Sequence, residues 1–284
     1  MSDDLHWLPA TEVAERIRSG ALSPVDYTQA LLDRILALQP RLNCFATVAA
    51  DAALAAARQA EHAVRQGGPL GPLHGVAVHV KDLFDTAGIR TAHGSAIHAA
   101  NVPSVDNVVV RRLKEAGAIV IGKTTTPEFG HKGLTDSPLF GVTRNPWNPD
   151  FTTGGSSGGA AGAVASGQGP LGLGTDGAGS VRIRALACGV VGHKPTLGLV
   201  PFEQTSDSFD NYVYAGPLVG RQRAVPHRLG DRAACAVGRV AAAADLNLPV
   251  GHPPTFARCA GPRVGQSAGA RWFQPRLASC SMRR

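Results

Sequence analysis

One lysine and two serines carry the chemistry that this sequence can perform. Ser156 stands in Gly154-Gly155-Ser156-Ser157-Gly158-Gly159, and Ser180 closes Gly174-Thr175-Asp176-Gly177-Ala178-Gly179-Ser180. Glycine at this density disfavours helix and strand, but it lets a backbone turn sharply or approach another group closely. Turns that gather several N–H groups around one serine are what acyl transfer requires, because those donors meet the charge that develops on the carbonyl oxygen. A serine hydroxyl attacks only when a base takes its proton. Besides histidine, a lysine kept neutral by burial can be that base. Lys81 lies at the end of Gly75-Val76-Ala77-Val78-His79-Val80-Lys81-Asp82, an apolar run whose close charges are Asp82 and Asp85. Taken alone, Lys81 reads as a solvated strand-end lysine; burial at this place would make its amine a base.

Other signatures overlap the same stretch. Gly154-x-Ser156-x-Gly158 fits the nucleophile elbow of α/β-hydrolases, with Asp210 and His227 or His252 as downstream partners. An elbow needs a strand running into its serine, whereas Asn148 to Thr153 reads as a loop. Gly172-x-Gly174-x-x-Gly177 matches the dinucleotide fingerprint, but no acid follows at residues 193–200. Neither glycine run contains Gly-Lys-Ser/Thr, which excludes a Walker phosphate loop. The ten histidines and five cysteines show no metal-ligand spacing.

The elements that must position these groups follow from periodicity. Thr11 to Arg18 has helical spacing. Ser23-Pro24-Val25-Asp26 starts a second helix, whose apolar face is Tyr27, Leu31, Leu32, Ile35 and Leu36, up to Pro40. Ala49 to Arg65 is an alanine-rich helix stopped by Gly67. The run ending at Lys81 is a strand. Ser104 is expected to cap a helix over Val105 to Ala116, and Ala118 to Gly122 is a strand of the kind buried in parallel sheets. Strand, helix and strand in that order predict a right-handed crossover. A helix from Ser157 to Ser166 and a strand at Leu171 to Leu173 complete an α/β layer architecture, with loops at the strand ends carrying the chemistry.

Read together, the motifs become specific. Gly71-Pro72-Leu73-His74-Gly75-Val76 with Val80-Lys81-Asp82, Gly122-Lys123-Thr124 with Pro127-Glu128-Phe129-Gly130, Asn145-Pro146-Trp147, Gly154 to Gly159, Gly174 to Arg182, and Cys188-Gly189 with Lys194-Pro195-Thr196 resemble the amidase signature family. The resemblance runs from about residue 10 to Leu218, and it is stronger to the broad bacterial amidases than to the glutamyl-tRNA amidotransferase branch. It implies a mixed, mostly parallel β-sheet flanked by α-helices, and a Ser–cis-Ser–Lys triad. Ser180 matches the nucleophile, Ser156 the bridging serine after a cis peptide bond from Gly155, and Lys81 the general base. The N–H groups of Gly177, Ala178, Gly179 and Ser180 match the oxyanion hole. The implied reaction is hydrolysis of a small-molecule carboxamide without a cofactor, and a homodimer is the expected assembly. The alternatives are an inactive remnant and a glutamyl-tRNA amidotransferase A-like subunit. Asp176 and Arg182 are expected to brace the loop, Trp147 to pack, and Ser156 or Ser157 to cap the following helix.

The sequence departs from the family pattern at a few places. Ala178 replaces a usual glycine and would be strained at positive φ. Arg184 replaces a proline and puts a charge beside the nucleophile turn. Thr125, Thr153 and His193 are further replacements.

Composition divides the chain. Residues 1–70 form a helical region, residues 71–218 the α/β core and residues 219–284 a tail of different character. Residues 1–218 carry 17 basic and 19 acidic side chains, residues 219–284 carry 11 arginines and 2 acids, so the net charge of +7 belongs to the tail. A near-neutral body argues against nucleic acid as a partner. Ala, Arg, Gly and Pro supply 37 of the last 66 residues, as an out-of-frame reading of GC-rich DNA would. The expectation is a disordered tail after a family match cut short near Leu218, leaving the sheet incomplete and the chain poorly folded or inactive. No run of 18 apolar residues is present and no signal peptide is read at Met1-Ser2-Asp3-Asp4. With five cysteines in no paired framework, a reducing cytoplasm is expected.

Overall fold

Capping and apolar spacing set the first elements. The computed structural model describes residues 5–196, 199–201 and 213–220. Helix α1 (Ala10–Arg18) buries Ala10, Val13, Ala14 and Ile17 on one face. Helix α2 (Pro24–Leu42) begins where Ser23 Oγ accepts the N–H groups of Val25 and Asp26, both at 3.2 Å. It runs past Pro40 to Leu42. A proline this near the end removes a single backbone hydrogen bond, which the buried Leu42 outweighs. Leu36, expected on the apolar face, is instead 76% exposed. A short strand, β1 (Phe45–Val48), was not legible as one. Helix α3 (Ala50–Gln66) ends at Gly67 with φ +70° and buries Ala53, Ala57 and Ala60.

Strand β2 (Ala77–Lys81) is buried along its whole length, including its terminal lysine. Helix α4 (Val108–Glu115) starts later than expected, because Asn107 rather than Ser104 caps it by accepting the Val109 N–H at 3.1 Å. Val105 is left 72% exposed outside the helix. The chain then returns as β3 (Ile119–Thr124), parallel to β2. A two-stranded hairpin, β4 (Asp136–Ser137) and β5 (Gly141–Val142), lies in the following loops.

Helix α5 (Gly158–Ala165) consists of glycine, alanine and valine, and all but its last residue is buried. Small residues let it lie directly on the strands: a Cβ on Gly159 would stand 2.5 Å from Thr125 N and 2.7 Å from Cys44 O. Strand β6 (Leu171–Asp176) pairs in parallel with β2. Helix α6 (Arg182–Cys188) follows, then β7 (Val191–Gly192) and β8 (Tyr214–Val219), whose short or glycine- and proline-bearing sequences gave no strand signal. The sheet order is β1-β3-β2-β6-β8-β7. β1 and β8 run against their neighbours, so β2, β3, β6 and β7 share one direction. This is the expected mixed, mostly parallel sheet with flanking helices. Val219 is the last residue of β8, and the tail beyond residue 220 lies outside the described residues.

His79 on β2 gives the core a pH dependence. Its ring is fully buried against Gly172 and edge-on to Phe45 at 5.8 Å, and neither nitrogen has a partner among the described residues. Burial pushes its pKa from 6.5 down to about 3. In that interval the unfolded chain binds a proton that the folded protein refuses, so stability is lost as pH falls, by ~1.4 kcal/mol per unit. Relative to His79→Leu, the denaturant midpoint of the wild type is therefore expected to decline as pH drops below 6.5. An equally steep decline in the variant would refute this assignment.

Candidate active site

The ends of two neighbouring strands and two glycine-rich turns meet at one point. Lys81 ends β2, while Thr175 and Asp176 end β6 beside it. The turn before α5 supplies Ser156 and Ser157, and the turn before α6 supplies Ser180. The Gly155–Ser156 peptide bond is cis, as the family resemblance implies. The sequence had indicated Lys81, Ser156 and Ser180, and the structure brings them together.

Lys81 Nζ lies 2.6 Å from Ser156 Oγ, and Ser156 Oγ lies 3.0 Å from Ser180 Oγ. The amine also reaches Thr175 Oγ1 at 2.7 Å and Ser157 Oγ at 3.1 Å. Lys81 is 0% exposed, and burial holds its pKa well below 10.5, against an opposing pull from the Asp176 carboxylate. A neutral amine has a lone pair and can accept a proton.

Hydroxyl partners separate the two adjacent serines. Ser157 Oγ donates to the Thr175 carbonyl at 3.0 Å, so its proton has a backbone acceptor. The neighbours of Ser156 Oγ are Lys81 Nζ and Ser180 Oγ. Its proton can therefore go to the amine while its oxygen accepts from Ser180. Ser180 Oγ also accepts the backbone N–H groups of Ser156 at 3.0 Å and Ser157 at 2.8 Å, which favour negative charge on that oxygen. Ser157 occupies the first capping position of α5 without bonding the helix N–H groups, because its side chain turns into the site.

Asp176 and Arg182 brace the turn. The carboxylate accepts from Arg182 Nε and Nη2, both at 3.0 Å, and from the Gly179 N–H at 2.7 Å. Burial alone would raise its pKa, but these donors hold it below the usual value. The Gly179 N–H is thus already committed. Among the described residues, the N–H groups of Gly177, Ala178 and Ser180 have no protein acceptor. Gly177 and Ala178 are exposed, which leaves the turn open on that side. Ala178 is not at positive φ, and Gly179, at +98°, takes that conformation instead. The expected strain at Ala178 is therefore absent.

Several other expectations change. Asp82 and Asp85 do not set the charge around Lys81: Asp82 turns away to the N–H groups of Ala92 and Gly94, and Asp85 faces His93. Arg184 donates to the Gly133 carbonyl at 3.1 Å and lies over Gly154, where a Cβ would collide with its guanidinium. Trp147 is 73% exposed rather than packed, with Nε1 donating to the Cys188 carbonyl at 2.7 Å. Thr125 is buried and satisfied by Thr143 and by the Asn43 and Cys44 carbonyls. Gly172 and Gly174 lie inside β6, not in a strand-to-helix turn, which removes the dinucleotide reading. No strand leads into Ser156, which removes the elbow; Asp210, His227 and His252 lie outside the described residues. Thr175 was missed, because only the β2–β6 register places its hydroxyl against Lys81. No three His, Cys, Asp or Glu side chains gather as a metal site among the described residues.

A mixed α/β sheet with a buried lysine linked through hydroxyls to a second serine defines an architecture of the serine–lysine type. The chain belongs to the amidase family, whose model matches residues 26–222. It is similar to an acylamidase of Rhodococcus erythropolis, 44% identical over 215 residues, covering 76% of this chain and 45% of that protein. The A-type subunit of the glutamyl-tRNA(Gln) amidotransferase from Carboxydothermus hydrogenoformans is 43% identical over 197 residues, covering 69% of this chain and 41% of that one. A bacterial aryl acylamidase of the amidase signature family superposes with a TM-score of 0.76 at 34% identity, over 84% of this chain and 48% of that structure. The chain thus spans less than half the length of these relatives. No helix among the described residues is long and apolar enough to cross a membrane.

Proposed function

We propose that this chain carries the catalytic machinery of an amidohydrolase that cleaves a small-molecule carboxamide to a carboxylate and ammonia or an amine. The observation that carries this reading is the unbroken path Lys81 Nζ–Ser156 Oγ–Ser180 Oγ, at 2.6 and 3.0 Å, on a buried lysine. Ser180 Oγ attacks the carbonyl carbon and passes its proton to Ser156 as Ser156 gives its own to Lys81. The tetrahedral oxyanion meets the N–H groups of Gly177, Ala178 and Ser180. The Lys81 ammonium then returns a proton through Ser156 to the leaving nitrogen as the C–N bond breaks. Water, deprotonated along the same path, hydrolyses the Ser180 ester and frees the acid. No cofactor is needed for this sequence of steps. The buried thiols of Cys44 and Cys188 are free, which fits a reducing cytoplasm. A homodimer is the proposed assembly.

A fluorophosphonate probe tests the assignment. It is expected to label the full chain at Ser180, and Ser180→Ala should abolish labelling. An unlabelled wild type would reject the catalytic reading and leave the inactive remnant. Labelling that survives Ser180→Ala but not Ser156→Ala would move the nucleophile to Ser156. Similarity to the amidotransferase A subunit motivates a second reading, in which the chain is one subunit of an assembly and activity appears only with its partner subunits. Hydrolysis of simple amides by the isolated chain would exclude it.

A further inference from the structure

Two buried charges behind the lysine have no part in these proton transfers. Asp82 and Lys123 are each 0% exposed, and Lys123 is the strongest charge acting on Asp82. We infer that Asp82 and Lys123 are positioning residues, which fix residues 91–95 and through them hold residues 126–130 as a wall beside Ser156. This rests on the proposed role of Ser156 as the proton relay.

The connections can be followed bond by bond. Lys123, on β3, donates to the Phe84 carbonyl and to Thr91 Oγ1, the latter at 2.7 Å. Asp82, just past β2, accepts the N–H groups of Ala92 and Gly94 at 3.2 Å. The two charges thus hold the loop that leaves β2 at Phe84 and at residues 91–94. Gly94, at φ +67°, lies flat on the next segment: a Cβ there would stand 2.7 Å from Thr126 O and 2.8 Å from Pro127 O. The His93 carbonyl accepts the Phe129 N–H at 2.8 Å, and Ser95 Oγ donates to Glu128 at 2.6 Å. Gly130 ends the chain of contacts. A Cβ on it would stand 3.4 Å from Ser156 Oγ and 2.8 Å from the Leu83 side chain. The segment therefore passes close beside the Ser156 hydroxyl, and misplacement of a reacting group by about 1 Å can cost ~10²-fold in rate.

The pair also has a pH window. Asp82 is faced by Lys123 from β3, by Arg90 and the Ala92 and Gly94 amides from the loop, and it directly follows Lys81, the last residue of β2. Lys123 is acted on by Asp82, Asp85 and Asp106, and by Lys114 from α4. Burial pushes Asp82 up to about 6 and Lys123 down to about 8. Both are charged between these values. Below about 6 the Asp82 carboxylate takes a proton and becomes a weaker acceptor for the two amides.

Hydrogen exchange on the full chain tests the inference, read at residues 91–95 and 126–130 and corrected for intrinsic rates. Asp82→Asn at pH 7 is expected to exchange in both segments about tenfold faster than the wild type, and the wild type at pH 5 should approach the variant. The rate of fluorophosphonate labelling should lose about tenfold in Asp82→Asn, together with the acid limb near pH 6 that is expected of the wild type. Lys123→Met should loosen the same segments. Unchanged protection of 126–130 in Asp82→Asn would overturn the inference. If that variant does not fold, the wild type decides alone, since protection that stays flat from pH 7 to pH 5 overturns it equally. Absence of labelling in the wild type would count against the hydrolase reading, and the exchange result would still decide on the pair.

Discussion

Lys81→Met is expected to abolish amide hydrolysis, by about 10⁴-fold or more, without unfolding the protein. Methionine matches the volume of the buried lysine stem, so the core of β2 stays filled. It removes the lone pair that receives the Ser156 proton, and no other base lies within hydrogen-bond reach of that hydroxyl among the described residues. Stability should move with pH in a defined direction. The unfolded lysine binds a proton up to 10.5, whereas the folded amine releases it well below that value. Between the two, folding expels a proton, and stability is lost as pH falls. The variant has no such group. Its Tm relative to the wild type should therefore rise as pH is lowered through this range, offset by a constant loss of about 1 kcal/mol for each hydrogen bond to Ser156, Ser157 and Thr175. Paired kinetics and thermal melts check both halves. A variant that kept a tenth of the activity would remove Lys81 as the base.

Ser156→Ala should cost less than this, ~10²- to 10⁴-fold, the usual worth of one positioned proton carrier. The reason is Ser157. Its Oγ is 3.1 Å from Lys81 Nζ and 2.8 Å from Ser180 Oγ, so giving up the bond to Thr175 O would let it carry the proton. Ser157→Ala alone should have a modest effect. The double variant should fall to the level of Lys81→Met, a larger loss than the product of the singles. Strictly multiplicative losses would mean that the two hydroxyls do not substitute for one another. In every variant the slow step can be isolated by single-turnover acylation with an activated amide.

Sequence reasoning reached the residues of the site because their types and glycine surroundings are unusual. Its limits were those of register and orientation. Nothing in Gly172 to Asp176 indicates that the Thr175 hydroxyl meets Lys81; that follows only once β6 pairs with β2. Asp82 is adjacent to Lys81 in sequence, yet a turn at the strand end sends its carboxylate to the opposite segment. β1, β7 and β8 are held by pairing with neighbouring strands rather than by a pattern of their own, so they left no local trace. Asn107 and Ser104 are both good caps, and choosing between them required knowing where Val108 and Val109 are buried. Long helices with a clear start or stop signal, such as α2 at Ser23 and α3 at Gly67, were found to within a few residues.

The placement of the proposed base and nucleophile on different kinds of backbone has a consequence for how such a site can change. Lys81 and Thr175 belong to β2 and β6, hydrogen-bonded neighbours inside the sheet, whereas the serines and the exposed Gly177 and Ala178 belong to turns. Basicity is therefore set in the least deformable part of the molecule. Substitutions in the rim can admit a different amide while the proton affinity of the amine stays as it was. Under the proposed mechanism, substrate choice and acid–base strength are separable, and selection can alter the first without rebuilding the second.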